Sequence, residues 1–262
     1  MSIRNRIKSY LKYIPFLAPL LRIPGIIISS LKNYVFYLNS FIRFRVMDDK
    51  RFPVSWNQRM VILVDRTDST GFDHHYIYHL AWAARKLSNI MPRLHIDISS
   101  SIYFMSLISA FIPVHFYDYR PAKIKLSELD AKAGDVTKLP FPDKSVESLS
   151  CMHVVEHVGL GRYGDPLDPQ GDLKSISELK RVLDVNGTLL FVVPVGIPRI
   201  QYNAHRIYSY DQIINYFEGM DLIEFSLITD NPEDGLIEHA DPELANRQQY
   251  GCGCFYFTKK TG

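Results

Sequence analysis

Cysteine is scarce in this 262-residue chain: three occur, Cys151, Cys252 and Cys254. Three cannot build a disulfide framework, and a reduced, cytosolic setting suits them better. Glycine and proline, 14 and 15 residues, are too few for a collagen-like or low-complexity chain. Charged residues at 22% and aromatics at 13% exclude a coiled coil and bulk disorder. There is no internal repeat and no low-complexity linker. Acid is missing altogether from residues 1–47, which hold eight basic residues: Arg4, Arg6, Lys8, Lys12, Arg22, Lys32, Arg43 and Arg45. The rest of the chain carries 22 basic against 28 acidic residues, so the body is mildly acidic. Nucleic acid is therefore not expected as its main partner.

Residues 1–58 read as a basic, apolar, helical arm. Its charges are interleaved with Tyr10, Leu11, Ile14, Phe16, Leu17, Leu20, Leu21 and the Ile26–Ile28 run. A spanning helix needs about 20 mostly apolar residues. Here Arg22 interrupts, and Pro15, Pro19 and Pro24 are expected to break any long helix. No clear apolar core or cleavage site marks a signal peptide. Two readings stay open: an arm packed on the domain or on a partner subunit, and an interfacial segment on the anionic inner face of a membrane.

From Met60 onward, short β-like runs alternate with helical patterns, which predicts a doubly wound α/β domain over residues 59–262. Strands are expected at Met60–Val64, Leu94–Ile98, Val114–Tyr119, Ser148–Met152, Thr188–Val193, Leu222–Leu227 and Cys254–Thr258. Asp172–Leu183 keeps Leu173, Ile176, Leu179, Val182 and Leu183 on one helical face, and Asn186-Gly187 supplies a turn into the next strand. Asp73–Leu87 reads as a second helix, capped by Asp73.

Four segments carry the chemistry. Leu94–Ser101 is a strand ending in Asp97 and a turn of Ser99, Ser100 and Ser101. About twenty residues on, Asp118 ends the next strand. Gly134-Asp135 forms a third point, and Ser148–Val158 runs from a strand into a helix, carrying His153, Glu156 and His157. In a doubly wound sheet these points share the carboxyl edge, where ligands bind. A carboxylate such as Asp118 suits a ribose diol, because it accepts two hydroxyl hydrogens at once. Asp135 can accept from an adenine amino group.

These segments resemble the class I S-adenosylmethionine-dependent methyltransferases, from about Leu94 to the end. The resemblance rests on Gly134-Asp-Val-Thr-Lys-Leu-Pro-Phe-Pro-Asp-Lys-Ser145, on Val154-Val-Glu-His157, and on Glu178–Gly187 before a strand. The run Ser150–Pro169, with Tyr202-Asn-Ala-His-Arg206 downstream, is similar to a narrower methyltransferase-like family, the domain of unknown function numbered 268. The resemblance implies S-adenosylmethionine as cofactor, over Asp97, Ser99, Ser101, Asp118, Asp135 and His153. The sequence departs at one point: Ser99-Ser100-Ser101 stands where Gly-x-Gly is usual, and positive φ strains a serine. Either the turn has another shape, or donor binding is weakened or lost.

The catalytic candidates are His205, His157 and Glu156, with His205 the first choice as base because its ordinary pKa lies near neutrality. The loop Gly159–Gly171 reads as a substrate lid in which Arg162, Tyr163 and Asp165, together with Asn203 and Arg206, offer groups for sugar hydroxyls or phosphate. The expected reaction is methyl transfer to a hydroxyl of a sugar or surface-glycan intermediate, the glycan being an association of the family. One rival is a non-methylating nucleotide- or nucleotide-sugar-binding member of the fold. Another is a metal-dependent hydrolase using the His153-x-x-Glu156-His157 pattern. His75 and His79 are i,i+4 neighbours, but capping and aromatic contact are the simpler reading. Cys252 and Cys254 read as core, and no metal is expected. The setting is cytoplasmic, with a peripheral membrane contact and an oligomer both compatible with the sequence.

Overall fold

All four residues of β1 (His95–Ile98) are buried, as a strand covered on both faces requires. It pairs in parallel with β2 (Val114–Asp118) on one side and β4 (Val146–Met152) on the other. The full sheet adds β3 (Leu129–Ala133), β5 (Leu183–Val195), β8 (Met220–Ile228), β9 (Leu236–Ile237) and β10 (Gly251–Lys259), in the order β3-β2-β1-β4-β5-β10-β8-β9. β10 runs antiparallel between β5 and β8. A separate hairpin joins β6 (Arg199–Gln201) to β7 (His205–Ile207). The chain travels outward through β2 and β3 and then returns to β4. That reversal leaves a crevice beyond the carboxyl ends of β1 and β4.

This computed structural model describes residues 18–47 and 51–260. The chain divides between Gly71 and Phe72 into two units. In the second, alternate residues of the strands feed two cores. Leu149, Phe191, Val193 and Phe255 pack with Ile176 and Leu179 of the helix Gly171–Val182. Leu190, Val192, Cys252 and Cys254 pack with Trp82 and Leu87 of the helix His74–Ile90, and with Met105 of the helix Ile102–Ile108. Asp73 caps His74–Ile90, its side chain accepting from the Tyr76 amide.

Asn186-Gly187 does not end the helix. The chain enters β5 at Leu183, and Asn186, at φ 60°, sits in an irregularity where pairing with β4 jumps from Val146↔Leu183 to Ser148↔Thr188. Nor does β4 run into an α-helix. Val155–His157 forms a single 3₁₀ turn, because His153 leaves the strand at φ 57° and redirects the backbone.

The first unit corrects two further expectations. One helix, Ala18–Met47, runs through Pro19 and Pro24. Pro19 falls in the first turn, where its amide would have no intrahelical partner, so only Pro24 removes a bond. Met60–Val64 forms no strand. Its Leu63 carbonyl accepts from the Asn33 side chain instead. Phe41 meets Trp56 edge-on, and the Arg59 guanidinium lies 4.2 Å from the Trp56 ring. Residues 1–17 of the arm, with Arg4, Arg6, Lys8 and Lys12, lie outside the described residues.

Candidate active site

Two cavities meet at the carboxyl edge of the sheet. The first, about 320 Å³, is lined by Ser99 after β1, Asp118 at the end of β2, Asp135 after β3 and His153 after β4. Ser99 adopts φ 54°, so the turn keeps the left-handed shape a glycine would give it. The serines hold that shape. Ser99 Oγ donates to the Tyr117 carbonyl, Ser100 Oγ accepts from the Met152 amide, and Ser101 caps the Ile102–Ile108 helix. Ser101 therefore does not line the cleft. Asp97 does not line it either. It is fully buried beneath the turn, accepting from the Ser100 amide and the Ser150 hydroxyl, while Ser150 also meets His95. Burial raises the Asp97 carboxyl to about 6.

Asp118 spends one carboxylate oxygen on the Arg120 amide, 2.6 Å away. Asp135 accepts from both the amide and the hydroxyl of Thr137. Both acids remain on the cavity wall together with Gly134, whose amide donates to the Asp118 carbonyl.

The second cavity, about 680 Å³, is lined by Phe72, Asp73, Tyr76, Arg162, His205 and Tyr250 among others. His153, His157 and Tyr163 belong to both walls. His157 Nδ1 lies 2.6 Å from the Ala204 carbonyl, which fixes Nδ1 as the donor and leaves Nε2 with a lone pair. Glu156 Oε1 lies 3.8 Å from that Nε2 and 2.8 Å from His153 Nδ1. Glu156 is fully buried. Burial pushes its carboxyl up, but the hydrogen bond and charge of His153, and the charge of His157, outweigh this and hold it below the usual range. Its Oε2 has no hydrogen-bond partner among the described residues.

His205 lines only the second cavity. Its Nε2 meets Gln201 Oε1 at 2.7 Å, and its ring stacks on Tyr250. Burial, then His157, lowers its pKa. Burial, then His153, lowers His75 to about 4, and burial lifts Tyr250 to about 12. At neutral pH His75 is thus neutral and Tyr250 a phenol.

The glycine-rich loop is organised by Asp165. Its carboxylate accepts from the amides of Gly159, Gly161 and Tyr163, which leaves it little capacity for a substrate. Gly159, at φ 80°, could carry no side chain, since a Cβ would lie 2.0 Å from the Asp168 carbonyl oxygen. The guanidinium groups of Arg120 and Arg162 lie 4.6 and 5.1 Å from the Tyr163 ring. Two expected substrate contacts fall elsewhere. Arg206 is buried and lines neither cavity. It donates to the Val158 carbonyl and pairs with Asp172, binding the loop to the hairpin. Asn203 is exposed at the hairpin tip, outside both walls. The zinc-protease geometry is absent too. Without a helix, His153 points Nε2 toward Cys252 while His157 turns to Ala204, so the pair does not converge.

Strand order and site edge define a methyltransferase-like Rossmann fold, and solved structures agree. The YcgJ protein from Bacillus subtilis aligns at TM-score 0.50 and 15% identity, over 71% of this chain and 100% of its own. The N-methyltransferase NodS from Bradyrhizobium japonicum WM9, solved with S-adenosyl-L-homocysteine, aligns at 0.51 and 12% identity, over 71% and 87%. Residues 140–248 match the family described as Caenorhabditis protein of unknown function, DUF268. No curated protein matches the chain. The matched stretch spans β4, the glycine-rich loop and the hairpin, hence the second cavity's His157 and His205, but not Asp118 or Asp135.

Proposed function

We propose that this chain transfers a methyl group from S-adenosylmethionine to a hydroxyl of a small polar acceptor, a sugar or surface-glycan intermediate. The observation that carries the reading is the shared wall: a nucleoside-sized cleft and a polar, aromatic cavity meet at His153, His157 and Tyr163. The first cleft suits the donor. It has a carboxylate at the tip of β2, a second acid after β3, a left-handed turn after β1, and a volume within the range of ligand sites. Bound there, S-adenosylmethionine would supply an activated methyl group. The protein would supply alignment, the dominant contribution in a displacement of this type.

His157, rather than His205, is the base on this reading. Its Nδ1 is committed to Ala204, its Nε2 is open, and Glu156 stands close enough to stabilise the imidazolium formed when a hydroxyl proton arrives. His205 and Tyr250 would form the acceptor wall. Tyr76 and Tyr250 offer apolar ring faces, and Asp73, Asp230 and Arg162 offer hydroxyl partners, a composition suited to a sugar. The test is transfer of labelled methyl to a panel of nucleotide sugars and free saccharides. Label in a sugar hydroxyl supports the reading. Donor binding with no transfer to any saccharide would favour the nucleotide-sugar-binding alternative.

The basic, aromatic arm supports a peripheral contact with anionic membrane from the cytoplasmic side. On its helix Lys32, Arg43 and Arg45 accompany exposed Leu31, Ile42 and Phe44. No helix among the described residues is long and apolar enough to cross a membrane.

A further inference from the structure

His75, His153 and Cys252 come from three separate elements: the helix His74–Ile90, the end of β4, and β10. Their ligand atoms all lie within 4.8 Å of one another. His153 Nε2 and Cys252 Sγ are 3.4 Å apart. Around a tetrahedral zinc, an imidazole nitrogen and a thiolate sulfur stand about 3.6 Å apart, and two nitrogens about 3.3 Å. One pair already has close to that spacing, and a shift of up to about 1.5 Å in the His75 ring would bring in the third.

The surroundings of His153 match a metal ligand. Its Nδ1 bonds to the Glu156 carboxylate, which leaves Nε2 as the ligating atom, the carboxylate–histidine arrangement that orients metal-bound imidazoles. His153 holds this pose at φ 57°, a backbone conformation that costs energy unless the surroundings require it. Glu156 Oε2, buried and unpartnered on the second cavity's wall, is an acceptor without a donor.

We propose that His75, His153 and Cys252 bind one divalent cation of the zinc class, with a fourth position open to the second cavity. His75 and His153 line that cavity and Cys252 lies behind them, so the open position faces the acceptor side. Binding replaces the thiol proton of Cys252 with the metal and releases that proton. Cation, thiolate and the Glu156 carboxylate then sum to zero charge, which suits a buried site. A ligand with a hydroxyl or water oxygen would fill the fourth position. This inference stands independently of methyl transfer.

The test uses the full chain, stripped with a chelator and titrated with Co²⁺, whose thiolate complex absorbs in the near ultraviolet. One ion per chain is expected, with that absorption, displaced by Zn²⁺. Cys252→Ser should abolish the thiolate absorption, while Cys151→Ser and Cys254→Ser keep it. His75→Ala, at the half-buried start of a helix, should weaken binding at least tenfold with circular dichroism unchanged. Folded wild-type protein that binds no stoichiometric cobalt overturns the proposal. So does absorption that survives Cys252→Ser, or a His75→Ala chain that binds as tightly as wild type.

Discussion

The Nδ1 atom of His157 sits 2.6 Å from the carbonyl oxygen of Ala204, across the gap between the 3₁₀ turn after β4 and the β6–β7 hairpin. The contact makes Nδ1 the donor and, in the neutral ring, leaves Nε2 as the acceptor on a residue that lines both cavities. Arg162 donates to the same carbonyl, at 3.0 Å, so the hairpin, the loop and the candidate base are held at one point.

His157→Ala should lower turnover by about 10²–10⁴-fold, the usual contribution of a positioned base, with donor affinity and thermal stability nearly unchanged. His205→Ala should raise KM more than it lowers kcat, since His205 lines the second cavity alone. Steady-state kinetics on both variants separate the roles. The reverse pattern would return the base to His205.

Asp97 gives the folded chain a pH dependence. Its ordinary value is 3.8 and burial lifts it to about 6. Between those values the folded state holds a proton that the unfolded state has released. Stability therefore falls as pH rises from about 4 to about 6 and stays lower above that range. Asp97→Asn should remove this slope, so its stability relative to wild type should climb across the same window, by up to about 3 kcal/mol. Urea titrations at several pH values check it; parallel curves for the two proteins would contradict it.

Arg206→Met should destabilise the domain by roughly 3 kcal/mol or more, because it removes the cation beside the buried Asp172 carboxylate and frees the Val158 carbonyl. Chemical denaturation measures this. A variant as stable as wild type but with raised KM would restore Arg206 to the substrate.

Much of the fold was legible because burial writes itself into composition. β5 holds the apolar run Leu189–Val193, β1, β2, β4, β8 and β10 carry aliphatic and aromatic residues among polar ones, and Asp73–Leu87 and Asp172–Leu183 have a helical stripe. β3, with Asp130 and Lys132 among its five residues, is an edge strand and carries no such run. The hairpin strands are three residues each, too short for periodicity. That Asp118, Asp135 and His157 line a cleft was readable from their places after strands, and that Tyr163 does from its place in the glycine-rich loop. Arg206 was not, because nothing in Asn-Ala-His-Arg distinguishes a guanidinium aimed at substrate from one spent on loop carbonyls. The grouping of Cys252 with His75 and His153 joins residues 177 and 99 positions apart, so no local spacing could reveal it.

Deleting residues 1–47 should release the protein from anionic vesicles, and the intact chain should bind them more tightly as salt is lowered. Co-sedimentation reads both. Absence of binding by the intact chain at low salt would leave the arm to protein contacts.

Isothermal calorimetry of the purified chain with S-adenosylmethionine and S-adenosylhomocysteine tests the central claim most directly. One site per chain is expected for each. Asp118→Ala should weaken both by about ten- to a hundredfold through loss of charge-assisted hydrogen bonds, and Asp135→Ala by less. No heat with either ligand, or a folded Asp118→Ala protein that binds as well as wild type, would contradict the placement of the donor in the first cleft.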